Sequence, residues 1–258
     1  MENALRVPVG KAVLRPSAAQ VGAAAGGCSQ ASQRKGWRMI MKTCTIPRSY
    51  RKLLKRCAQK YFPGEEKALL NKADLLYDGF RKETPSIGGR KNLLASNLDM
   101  AMTFFAFYEA TGRRVTREMF LEVTGWMTEK LGFLKKLFDF NKPWMAKLMY
   151  RIYIPYAKKA NENKQNGKWN NTWGVVINPE GYTEGCSFHL VGCPLVDFAK
   201  KHGYMDFMPH LCELDHAMAA LMNAKLLRNH TISAGADSCD YWYVGSRSNA
   251  SKEEPHHD

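Results

Sequence analysis

Around residues 161–171 the hydrophobic period of this chain changes from that of helices to that of strands. Before this polar tract, over residues 49–163, apolar side chains recur at helical spacing and each gap between them carries a turn signal. After it come short β-branched or aromatic runs at 173–177, 186–191, 226–233 and 239–244, with two helical stretches at 194–202 and 208–222 between them. The order predicts an α+β fold: a helical N-terminal half followed by a small antiparallel sheet with helices on one face.

The expected helices cover residues 49–61, 65–82, 92–110, 116–138 and a fifth from Pro143, with Thr116 as an N-cap and Pro143 in a first turn. Residues 161–171 read as a linker. The aromatic residues Phe104, Phe105, Phe107, Tyr108, Trp126, Phe133, Phe138 and Trp144 read as core, with a pocket lining as the alternative. Residues 1–38 are rich in Ala, Gly, Ser and Arg, with Glu2 as their one acid. They read as a disordered leader or upstream extension ahead of Met39 or Met41, rather than as an organellar transit peptide. The regions are therefore 1–38, a helical part at 39–163, a catalytic α+β part at 164–247, and a disordered tail at 248–258, whose His256 and His257 are too isolated for a metal site.

The formal net charge of +14 does not by itself mark a nucleic-acid binder. Its lysines and arginines are dispersed over several helices, no recognised nucleic-acid motif accompanies them, and they read as solvated faces that mildly attract anionic metabolites. Seven cysteines, an odd number without scaffold spacing, fit a reducing cytoplasm. No run approaches the roughly 20 apolar residues of a membrane span. The expected partner is a small carboxylated molecule, with no nucleic acid, no membrane and no cofactor; a homo-oligomer is compatible with the sequence.

The chemistry-bearing residues gather in the C-terminal half. Cys193 precedes Pro194 at an expected helix start, where the helix dipole and free N–H groups lower a thiol pKa, so it is the leading nucleophile. Cys212 and Asp215 share a helix face by their three-residue step, and His216 follows one residue later. They suit acid–base work, or else a buried small hydrophobe and a structural hydrogen-bonder. Cys239 opens the last strand. In the expected strand 226–233, Arg228 and His230 face one side; Arg228 could clamp a carboxylate with its planar fork or form an ordinary ion pair. The spacing of Cys193, Cys212 and Cys239 fits none of the strong zinc signatures, and no metal is expected.

The ordered run Cys193-Pro194, His202-Gly203, Pro209-His210-Leu211-Cys212-Glu213-Leu214-Asp215, Arg228-Asn229-His230-Thr231-Ile232-Ser233-Ala234-Gly235 and Cys239-Asp240-Tyr241 resembles the L-2-amino-thiazoline-4-carboxylic acid hydrolase family. So does the loop Pro85-Ser86-Ile87-Gly88, and the resemblance spans about residues 50–244. It departs at Asn229-His230, Tyr241 and Trp242, which touch the expected pocket wall. The resemblance implies a hydrolase that opens a C–N bond of a small cyclic amidine-like carboxylate to give N-carbamoyl-L-cysteine. Cys193, Cys212, Asp215 and Cys239 would be catalytic, and Arg228, Thr231, His230 and Asp240 would bind substrate. A non-catalytic small-molecule-binding or sensor domain of the same fold is the alternative.

Overall fold

Helix-period sequence up to about residue 163 folds as expected into helices, and a computed structural model describes residues 44–85 and 87–252. Expectations placed on residues 1–38, Met39, Met41, Ser86, His256 and His257 lie outside the described residues. The helical half comprises α1 (Arg48–Tyr61), α2 (Glu66–Glu83), α3 (Ala95–Ala110), α4 (Arg117–Lys130), the single turn α5 (Leu134–Leu137) and α6 (Pro143–Gln165). Thr116 caps α4, its side chain accepting the Met119 N–H, and Pro143 stands in the first turn of α6.

From Met100 to Tyr108 helix α3 is apolar nearly all round, and a helical stretch of that kind must be buried. Phe105 and Ala106 are fully enclosed and Phe104, Phe107 and Tyr108 nearly so. Each such aromatic contributes roughly 2 kcal/mol relative to exposure. The core reading holds for these residues and for Trp126, but Phe133 and Trp144 are 56% and 52% exposed. The expected long helix 116–138 also breaks at Gly132, into α4 and α5.

The polar tract is only partly a linker, because residues 161–165 continue α6. Asn161 has a structural task there: its amide donates to the Val175 carbonyl and its Oδ1 accepts the Val175 N–H, which ties α6 to the first strand.

That strand is β1 (Gly174–Ile177), followed by β2 (Cys186–Val191), α7 (Pro194–His202), α8 (Met208–Ala220), β3 (Ala224–Leu227) and β4 (Ser238–Gly245). The four strands form an antiparallel sheet in the order β1-β2-β4-β3. Cross-strand partners Leu190 and Cys239, and Phe188 and Tyr241, set the β2–β4 register. The expected strand 226–233 is shorter than its residues suggested. It ends at Leu227, and residues 232–234 form a 3-10 turn capped by Thr231. Residues 250–252, assigned from sequence to a disordered tail, form another such turn, with the Ser251 carbonyl accepting from the Lys225 ammonium. One apolar core joins residues of the helical half, such as Phe105 and Met145, to Phe188, Val196, Leu226 and Tyr241.

Candidate active site

The inner face of the sheet and the helices beside it enclose a cavity of about 390 Å³. Cys193 reaches it from the N-cap of α7, Cys212 and Asp215 from one face of α8, and Cys239 and Tyr241 from β4. The four residues expected to be catalytic therefore line one cavity. Three separate elements supply them, which explains why their sequence spacing matches no compact motif.

Asp215 organises the polar end. Its Oδ2 accepts from Arg228 Nη1 at 2.7 Å and from the Tyr241 hydroxyl at 2.8 Å. The second Arg228 nitrogen donates to the Cys212 carbonyl at 2.9 Å, and the guanidinium lies over the Tyr241 ring. Burial works against the Arg228 charge, but Tyr241 and Asp215 outweigh it and raise its pKa. Arg228 is buried and does not line the cavity, so the expected carboxylate clamp is an internal partner of Asp215 instead. Burial, then the Asp215 charge, holds the Tyr241 hydroxyl protonated far above its usual range, which keeps it a donor.

The thiols correct another expectation. Cys193 does sit at the N-terminus of α7, where the Val196 and Leu195 N–H groups favour its thiolate. Burial is the larger effect and pushes the thiol up to about 12. Desolvation of a charge in an apolar wall exceeds what a helix terminus returns. Cys239 is pushed up to about 11 by burial, although its Sγ accepts the Ile232 N–H at 3.2 Å, a donor the sequence did not lead one to expect there. Cys212 is raised by burial as well, but the Ser233 hydroxyl and the Arg228 charge both pull it back. The Cys212 sulfur lies 3.3 Å from Ser233 Oγ.

Ser233 is the site residue that sequence reasoning missed. Strand alternation placed it opposite Arg228, whereas the chain leaves the sheet after Leu227 and folds over the cavity. Asp240 accompanies the departure: its carboxylate accepts the N–H groups of Asn229 at 3.0 Å and His230 at 2.6 Å in place of backbone carbonyls. Thr231 then caps the 3-10 turn through the Ala234 N–H and bonds Ser233 at 3.0 Å. The visible signal was Thr231 followed three residues later by Ala234-Gly235, a hydroxyl-capped turn closed by a glycine at φ 103°.

The residues expected to bind substrate are thus dispersed. Arg228 and Thr231 brace Asp215 and Ser233 from behind, and His230 is exposed. Asp240 alternates with the cavity-facing Cys239 and Tyr241 and points to the other side of the sheet. Among the described residues, no group of three or more His, Cys, Asp or Glu side chains is arranged to hold a metal ion. No helix among them is long and apolar enough to cross a membrane.

A family model described as L-2-amino-thiazoline-4-carboxylic acid hydrolase matches residues 96–243, more than half of the chain. The match contains α7, α8, β3 and the cavity-lining residues of β4, and it begins after the Pro85–Gly88 loop. No curated protein matches, and no solved structure does.

Proposed function

Because this chain belongs to the L-2-amino-thiazoline-4-carboxylic acid hydrolase family, we propose that it hydrolyses the ring of a small cyclic amidine, with Cys212, Asp215 and Ser233 as the acting groups. The observation that carries the reading is the convergence of three thiols and one carboxylate on a single cavity. In a 2-aminothiazoline the reacting carbon bears two nitrogens and the ring sulfur, and protonation of the amidine makes it electrophilic.

The Cys212 thiol adds to that carbon while its proton passes to Oδ1 of Asp215. Ser233 holds the sulfur in place, and Arg228 and Tyr241 hold the other carboxylate oxygen. Collapse of the adduct breaks the ring C–S bond, and the departing sulfur takes the proton from Asp215. Water then adds to the enzyme-bound isothiourea and releases a carbamoyl product and the Cys212 thiol. This bond count corrects the expected C–N cleavage. N-carbamoyl-L-cysteine keeps the ring nitrogen on the carbamoyl carbon, so its formation requires loss of sulfur, whereas C–N cleavage would give the S-carbamoyl isomer.

The test is incubation of the full chain with 2-amino-2-thiazoline-4-carboxylate, following free thiol and product mass. Native protein and Cys193→Ala should release thiol, while Cys212→Ala should lose at least about 100-fold in kcat, as expected for a lost covalent or acid–base group. Full turnover by Cys212→Ala would refute the thiol mechanism. A second reading, a small-molecule-binding domain without turnover, is favoured by the burial that raises Cys193 and Cys239; binding with no thiol release by the native protein would establish it.

A further inference from the structure

The stretch from Phe133 to Lys159 carries six Lys, one Arg and a single acid, Asp139. Asp139 is engaged locally, where its Oδ1 accepts the backbone and side-chain N–H groups of Asn141. All seven cations are exposed. Elsewhere in the helical half such groups are paired, as Arg51 is with Asp74 and Lys60 with Glu122. Among the described residues none of the seven takes part in an ion pair, which leaves this face strongly positive.

Apolar side chains are interleaved with these cations. Phe133, Leu137, Trp144, Ile152 and Ile154 are each between 43% and 60% exposed. Singly, such residues are ordinary on a protein surface; here they are gathered in one positive segment. Phe133 and Leu137, four residues apart, share one side of the α5 turn. Along α6 the steps from Trp144 to Lys147, Arg151, Ile154 and Lys158 alternate between three and four residues, which sets all five on one stripe roughly 21 Å long. All five are exposed, whereas Met145, Tyr156, Ala157 and Ala160 on the opposite side of the helix are buried.

Chemistry separates the occupants of such a face. A second copy would set seven cations against seven. A nucleic acid would use the cations and leave the aliphatic side chains in water. Protein–protein interfaces are depleted in lysine, the very residue that dominates here. An anionic bilayer meets both demands: Trp144 and Phe133 settle at headgroup level, the aliphatic residues reach beneath it, and lysine stems lie along apolar surface while their ammonium groups meet phosphates. We propose that α5 and the outer face of α6 dock this chain peripherally on an anionic lipid surface. The expectation of no membrane partner follows from the lack of a spanning segment, and a face that lies in the interface plane requires none.

The experiment is co-sedimentation of the full chain with vesicles of phosphatidylserine and phosphatidylcholine in equal parts, and with vesicles of phosphatidylcholine alone. Only the anionic vesicles should retain the protein. Each cation near such a surface strengthens binding about fivefold, so the triple variant Lys147→Gln, Arg151→Gln, Lys158→Gln should bind at least about 100-fold more weakly with native far-ultraviolet dichroism. Lipid brominated on its acyl chains should quench the tryptophan fluorescence of the native chain and quench Trp144→Phe much less. Failure to bind the anionic vesicles, equal binding to both kinds, or a quench that survives Trp144→Phe overturns the proposal. Undiminished binding by the triple variant also overturns it, by moving the contact elsewhere on the chain. Tighter binding of a short DNA duplex than of the anionic vesicles would assign the cations to nucleic acid and overturn it as well.

Discussion

The guanidinium of Arg228 is engaged by the protein itself, and that changes what its neighbour Asp215 does. A carboxylate on an open helix face would be dispensable to folding, so on sequence grounds Asp215→Asn should cost activity and spare stability. In the structure Asp215 neutralises a buried arginine. Removing one partner of a buried pair costs about 3–5 kcal/mol, and because Asp215 is 31% exposed the loss should be about 3 kcal/mol, at the lower end. Asp215→Asn should therefore lower both turnover and the urea midpoint. Adding Arg228→Met should recover most of the midpoint without recovering turnover. A single Asn variant as stable as the native chain would show that the pair contributes little. The sequence made the residue types at this site legible, but not their partners, because the Cys212, Asp215, Arg228 and Tyr241 side chains meet only once α8, β3 and β4 are packed together.

At the scale of elements, helices and their caps were legible because periodicity and N-cap chemistry are local. Strand lengths were less so. The stretch 228–233 has strand-like alternation, yet the Asn229 and His230 N–H groups bond the Asp240 side chain of β4 rather than a backbone carbonyl of that strand. The turn before β2 offers a comparable case. Gly185 has φ 74°, and a Cβ there would collide with the Tyr243 carbonyl of the paired strand. Gly181 shares the same positive φ of 74° but has open space around it. Gly181→Ala should cost about 1 kcal/mol, the strain of the left-handed backbone alone. Gly185→Ala should cost clearly more, because β2 must also shift against β4. Calorimetric melting of the two variants measures the difference; equal melting temperatures would mean that the sheet yields at no cost.

For the whole molecule, the buried ionisable groups set a pH window. Burial raises the thiols of Cys57, Cys186 and Cys193 from 9.0 to about 12. A group whose folded pKa is raised contributes stability that is fully present below its unfolded value and disappears as pH rises toward the folded one. Stability should therefore be constant up to about pH 9 and fall steeply between pH 9 and 12. The loss should be a single transition in far-ultraviolet dichroism and in tryptophan fluorescence, because Trp126, Trp169 and Trp173 share one core with both halves of the chain. Urea midpoints at pH 8 and pH 10.5 test this, and an unchanged midpoint would contradict the burial of these thiols. Read by itself, the sequence determined the α+β class, the approximate placement of most helices and the residue types that line the cavity, since these follow from period, capping and composition over a few residues. Only the tertiary structure decided that burial raises the Cys193 thiol, that Arg228 pairs with Asp215, that Asp240 braces a loop and that Ser233 meets Cys212. Each of these depends on which groups are desolvated together, and desolvation is a property of packed elements rather than of neighbours in the chain.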